Sequence, residues 1–132
     1  MSYSAALVIK LLVTAFFAIV FIQSAIDKIL DREGNLAYFT DHFKASPIPS
    51  ELMPMMLTAI TILEGLAGAL CGLGVVSGSW SRGGFGIAGL GVATSGLALL
   101  ALLLGQRLAK DYAGAAVIAP YFAVALIGLT AF

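Results

Sequence analysis

Residues 52–76 read LMPMMLTAITILEGLAGALCGLGVV, and Glu64 is the only charged residue among these apolar and small residues. A helix needs about 20 apolar residues, at a rise of about 1.5 Å per residue, to cross the hydrocarbon core of a bilayer. The stretch is long enough, and its apolar residues are continuous rather than alternating with polar ones. It therefore predicts a helix that spans a membrane and argues against a strand of a membrane barrel.

Three further stretches have the same character. Of the 132 residues, 61% are hydrophobic and only 11% are charged, whereas a soluble domain carries about 25% charged residues. The first stretch also has features of a signal peptide, but Gln23 is a large residue where cleavage requires a small one, so we expect it to be retained. We predict an all-α, integral membrane four-helix bundle that forms one domain, with spans at residues 5–30, 52–76, 83–104 and 112–132.

Composition excludes several classes of function. Seven Lys and Arg balance seven Asp and Glu, so the chain has no basic field for nucleic acid. Cys71 is the only cysteine and His42 the only histidine, which excludes a disulfide scaffold, a multi-cysteine metal or iron–sulfur site and a bis-histidine haem. We predict no metal ligands and no catalytic residues.

The connections between the spans predict their arrangement. Residues 77–82 and 105–111 are short connections that force antiparallel neighbours. The longer first connection places Leu36, Phe39 and Phe43 on one face of residues 35–45, which predicts a short amphipathic helix in the headgroup region. A solvated surface loop is the alternative.

The distribution of Lys and Arg predicts the orientation, because these residues are enriched in cytoplasmic loops. Five of them lie on the side of the first and third connections, and two lie on the side of the termini (Lys28, Arg32, Lys44, Arg107 and Lys110 against Lys10 and Arg82). We therefore expect both termini to be non-cytoplasmic.

Glu64 is the main candidate for a functional residue, because an ionised side chain near the bilayer midplane costs about 3 kcal/mol or more. If the first helix runs to Glu33 and Ser50 lies at the same level, helical rise places Lys28 about 13 Å from Glu64 in depth. That gap exceeds a lysine's reach, so a direct Lys28–Glu64 pair is not expected.

Polar residues of the other spans reach a similar depth and form a predicted midplane polar cluster with Glu64 (Gln23, Thr94 or Ser95, and Tyr121). The cluster has three interpretations. It holds the helices together, since polar residues do so in lipid; it binds a quinone head group or handles protons; or it faces another subunit.

Small residues provide the predicted interface positions. Gly68 and Gly72 form a GxxxG step, and Gly84 and Gly89 begin similar steps on the third span. Small residues let helices approach closely in lipid, so these positions pack the bundle or dock onto another protein. Lys28 is an interfacial anchor or a contact for anionic lipid or a partner subunit.

Three segments resemble DoxX-like (DoxX/DoxD) membrane proteins. Residues 23–30, QSAIDKIL, are similar to the end of that family's first helix, although Ala25 stands where glycine is common. Residues 43–49, FKASPIP, resemble the start of its second helix, and residues 63–74, LEGLAGALCGLG, its intramembrane Glu followed by glycines. Arg82 precedes the third span, where the family often has a basic residue.

The resemblance implies a four-helix membrane fold, which we place in a bacterial inner membrane. Some members are associated with quinone-linked thiosulfate oxidation or quinol oxidases, and related groups serve in protein maturation. We therefore predict a small non-catalytic accessory subunit of a larger membrane complex, of respiratory type, whose partners are the lipid bilayer and other integral membrane subunits. The alternative is a quinone-interacting subunit of an oxidoreductase, and quinone is then the only cofactor.

Overall fold

The computed structural model describes all 132 residues and contains only helices and turns. Five α-helices follow one another: α1 (Tyr3–Leu30), α2 (Arg32–His42), α3 (Met53–Val76), α4 (Gly86–Leu108) and α5 (Tyr112–Leu129). Short 3-10 turns at Ser50–Leu52 and Ser79–Ser81 precede α3 and α4.

Four of these helices, α1, α3, α4 and α5, are long and apolar enough to cross a membrane. This confirms the four predicted apolar spans, with small shifts at their ends. Only 27 of 132 residues are buried, and large apolar side chains such as Ile19 are exposed on the outer surface. A soluble protein of this size rarely exposes so much apolar surface. The helices thus indicate an integral membrane protein whose outer surface contacts lipid.

Side-chain caps define where the helices begin. Ser2 Oγ accepts a hydrogen bond of 3.1 Å from the backbone N–H of Ala5 at the start of α1. Asp31 Oδ1 accepts one of 3.2 Å from Gly34, and Asp111 Oδ1 accepts one of 2.8 Å from Gly114. Because such caps satisfy N–H groups that the first turn leaves free, Asp31 ends α1 and starts α2, and Asp111 starts α5.

The helices pack around a small apolar core. Helix α3 lies between α1 and α4, and α5 packs mainly on α4. The core is built from buried apolar residues of the four long helices (Val13, Phe17, Phe21, Ala67, Cys71, Val92, Leu99 and Ala125). The rings of Phe17 and Phe21 stack with centroids 5.9 Å apart.

One of the predicted glycines, Gly68, makes this packing possible. A Cβ on Gly68 would lie 2.7 Å from the backbone nitrogen of Ile22, so α1 and α3 touch through their backbones there. Gly89 is closely covered by the ring of Phe85. A Cβ on Gly72 would lie 3.3 Å from the flexible end of the Ile22 side chain, a tight contact, and Gly84 is exposed in a turn with a φ of 83°. Apart from Gly84, therefore, the predicted interface glycines face inward and form no glycine-rich outer surface.

Helix α2 occupies the long first connection. It runs from Arg32 to His42, about one turn earlier than the predicted residues 35–45. Phe43 directly follows it and is buried, while Leu36 and Phe39 are half-buried. Phe43 also contacts the face of Gly105 on α4, so α2 lies across the ends of α3 and α4.

Candidate functional site

Glu64 forms a buried ion pair with Lys28, contrary to the sequence analysis. Lys28 Nζ lies 2.8 Å from Glu64 Oε1, and the two side chains are 13% and 3% exposed. Ser24 donates a hydrogen bond of 2.9 Å to Glu64 Oε2 and accepts one of 2.8 Å from Lys28 Nζ. We call Ser24, Lys28 and Glu64 the Lys28–Glu64 triad.

The expectation of a large gap was wrong because the two helices are offset. Ala25 faces Gly65, and Ile22 faces Gly68. Continuing this antiparallel register places Glu33 level with residue 57 rather than with Ser50, a shift of about seven residues or about 10 Å. The offset brings the lysine within reach of the carboxylate.

Two hydrogen bonds from Arg32, just beyond α1, show the same offset. Arg32 donates hydrogen bonds of 3.1 Å to the carbonyl of Pro54 and 2.8 Å to Thr58 Oγ1, inside the first turns of α3. The first turns of α3 therefore extend past the end of α1.

The predicted midplane polar cluster does not form. Gln23 is exposed on the outer surface among Ile19, Ile22 and Ile26. The hydroxyls of Thr94 and Ser95 each donate a hydrogen bond of 2.8 Å to carbonyls of their own helix, at Leu90 and Gly91.

Tyr121 is half-buried and packs its ring against Phe16, with centroids 5.7 Å apart. None of these four side chains hydrogen-bonds to Glu64. Helical rise estimates depth, but it does not establish which face of each helix points inward.

Ser24 is the triad member that the sequence analysis missed. It lies four residues before Lys28, so the two side chains share one face of a helix. This spacing is the signal in the sequence, but a comparison of depths alone excludes the Lys28–Glu64 pair that Ser24 bridges.

A pocket of about 380 Å³ adjoins the triad. It lies between α2, α3 and α4, and we call it the α2–α3–α4 pocket. Lys28 is at its wall, with mainly apolar residues around it (Tyr38, Phe39, Phe43, Met56, Ala59, Ile60, Leu63, Ala101, Leu102, Gly105 and Ile118). Its volume is within the usual range of small-ligand sites, about 300–1,000 Å³, which are also mostly apolar with a few polar groups.

The pocket lining also contains the polar side chains of Asn35, His42 and Gln106. His42 Nε2 lies 2.6 Å from Gln106 Oε1, and both residues line the pocket. His42 Nε2 is also 3.6 Å from Asp111 Oδ2, and its ring stacks on Tyr38 at a centroid distance of 5.1 Å. These contacts connect the end of α2 to the turn between α4 and α5.

Cys71 and Trp80 have structural roles. Cys71 is buried with its Sγ 3.6 Å from Ser95 Oγ. Trp80 donates a hydrogen bond of 3.2 Å to the carbonyl of Val75 and so closes the turn before α4. No group of three or more His, Cys, Asp or Glu residues is arranged to hold a metal ion.

Comparison with protein-family models, with curated proteins and with solved structures gives no match for this chain. The resemblance to DoxX-like proteins therefore stays a prediction.

Proposed function

We propose that the protein is a non-catalytic membrane subunit that binds a lipid-soluble ligand of the quinone class in the α2–α3–α4 pocket. The observation that supports this most is the position of Lys28 at the wall of a mainly apolar pocket. An ammonium has three N–H donors. Lys28 Nζ donates one hydrogen bond to Ser24 and lies 2.8 Å from Glu64 Oε1, so the ammonium has donor capacity left for a ligand.

The chemistry of the pocket suits a ring that carries carbonyl groups. The aromatic and aliphatic walls favour an apolar ring, and the ammonium favours an oxygen that accepts a hydrogen bond. His42 and Gln106 offer further polar atoms in the pocket lining. The pocket holds no group that would transfer electrons, so an oxidoreductase partner would supply that chemistry.

The proposal also places the protein in its membrane. The four long helices form a bundle, and α2 lies in the headgroup region, where its half-buried Leu36 and Phe39 face the protein. The end with α2 and the α4–α5 turn is cytoplasmic, in agreement with the excess of Lys and Arg there. The membrane is a bacterial inner membrane, and the complex is of respiratory type.

A pocket-filling substitution tests ligand binding. Ala59 and Ala69 are both exposed residues of α3, but only Ala59 lines the pocket. In lipid nanodiscs, Ala59→Trp should abolish binding of decyl-benzoquinone, measured by equilibrium dialysis, and Ala69→Trp should leave it unchanged. Equal binding by both variants, or no binding by the unaltered protein, would refute the proposal.

A second candidate is an accessory subunit that binds no ligand and docks onto other membrane proteins. It is favoured by the exposure of α5. Only 17% of the residues in its apolar stretch are buried, against 33–44% in the other three spans. Purification in a mild detergent distinguishes the two. Stoichiometric membrane partners without bound quinone would support docking alone, whereas a free chain with bound quinone would exclude it.

A further inference from the structure

The Lys28–Glu64 triad determines the charge of the α2–α3–α4 pocket. Lys28 lines the pocket, but Glu64 does not, because it lies behind the lysine with a side chain that is 3% exposed. The only other ionisable side chains of the lining are those of His42 and Tyr38. The charge that a ligand meets at the inner wall is therefore that of Lys28, offset by the carboxylate at 2.8 Å.

This arrangement distinguishes between head groups. An anionic head group is attracted by Lys28 and repelled by Glu64, and because the two charges are 2.8 Å apart the repulsion cancels part of the attraction. An uncharged oxygen that accepts a hydrogen bond avoids this cancellation, because it interacts with one N–H at short range. It also loses less hydration on entering the apolar pocket than an anion does.

The hydrogen bonds within the triad strengthen the effect. Ser24 bridges the two charged groups, so its hydroxyl holds the lysine and the carboxylate in fixed positions. Glu64 Oε1 accepts no hydrogen bond of good geometry. Its charge is therefore balanced mainly by Lys28, and binding an anion to Lys28 would leave the carboxylate poorly compensated.

We propose that Glu64 is a specificity-determining residue that makes the pocket selective for uncharged, hydrogen-bond-accepting head groups over anionic ones. It acts by neutralising Lys28, without touching the ligand. The inference rests on the proposed function, since it concerns the same pocket, and it names the charge of the head group that the pocket accepts.

Two probes that each carry a decyl chain on a six-membered carbon ring test this selectivity. Decyl-benzoquinone carries neutral carbonyls, and decyl-benzenesulfonate carries a permanent anion, so their dissociation constants can be compared in phosphatidylcholine nanodiscs. The unaltered protein should prefer the quinone. Glu64→Gln keeps the shape of the side chain and removes its charge, so the ratio of the two constants should shift toward the sulfonate by about tenfold or more.

The control is Glu51→Gln, which removes an exposed carboxylate outside the pocket and should leave the ratio unchanged. If Glu64→Gln does not fold, the two dissociation constants of the unaltered protein still test the inference. Equal or tighter binding of the sulfonate than of the quinone would overturn it. An unchanged ratio in a folded Glu64→Gln protein would overturn it too. A protein that binds neither probe would instead refute the proposed function itself.

Discussion

Lys28 and Glu64 form the only ion pair between a lysine or arginine and a carboxylate in this protein. Each charge is expensive to place in an apolar environment, and each is tolerated because the other is 2.8 Å away. The pair also connects α1 to α3, and Ser24 adds two hydrogen bonds to that connection. Polar contacts of this kind are a main source of helix association in lipid, where water does not drive it.

Removing one partner should therefore cost more than removing both. Lys28→Met leaves a buried carboxylate without its counter-ion, and we expect the free energy of unfolding to fall by about 3 kcal/mol. Lys28→Met combined with Glu64→Gln should recover most of this loss. Unfolding by sodium dodecyl sulfate, followed by circular dichroism, measures the stability of Lys28→Met, of Glu64→Gln and of the double variant. A loss of stability in the double variant that equals the sum of the two single losses would contradict the expected coupling.

At the scale of the helices, the contact between α1 and α3 sets the register on which the triad depends. Gly68 allows the backbones to touch at Ile22, and Ala25 faces Gly65 one turn away. Since the side chains at this contact are small, the helices are close enough for Ser24 to reach Glu64. Close packing and the polar contact therefore support each other.

Two glycines of α3 give a matched test of this packing. Gly68→Ala would place a Cβ 2.7 Å from the backbone nitrogen of Ile22, and the helices would have to separate. We expect a loss of about 2 kcal/mol in unfolding free energy, typical of overpacking. Gly72→Ala meets only the flexible end of the Ile22 side chain, at 3.3 Å.

Gly72→Ala should be neutral or stabilising, because alanine favours a helix over glycine by about 1 kcal/mol. The same helical gain applies to Gly68→Ala, so the difference between the variants isolates the clash. Equal stabilities, measured by the same unfolding assay, would show that α1 and α3 do not approach as closely as described.

For the whole molecule, the two ends of the helices have different characters. One end brings together α2, His42, Gln106 and the α4–α5 turn around the pocket. At the other end, Lys10 donates a hydrogen bond of 3.4 Å to the carbonyl of Arg82, and its ammonium lies 5.2 Å from the centroid of the Phe132 ring. The pocket therefore belongs to the end with most of the Lys and Arg residues, the one we propose to be cytoplasmic.

Thiol labelling tests this topology. In a Cys71→Ser background, a membrane-impermeant maleimide should label Glu33→Cys only from the cytoplasmic side and Ser4→Cys only from the opposite side. Both native residues are exposed, so access is not limited by burial. Labelling of both from one side would contradict an α1 that crosses the membrane, whereas exchanged sides would reverse only the orientation.

The amino-acid sequence by itself determined the number and approximate limits of the membrane-spanning helices, and it singled out Glu64. Hydropathy and charge act on each segment separately, so a segment's preference for lipid can be evaluated without knowing its neighbours. The caps at Asp31 and Asp111 are also local, because each hydrogen bond joins residues that are three apart in the sequence.

Only the tertiary structure decided which side chains meet. The Lys28–Glu64 pair depends on an offset of α1 against α3, and that offset arises from the close contact at Gly68 and from the length of chain after α2. Gln23, Thr94, Ser95 and Tyr121 have suitable depths but point elsewhere or bond to their own helices. Depth follows from counting residues along one helix, whereas register and rotation are properties of two helices packed together.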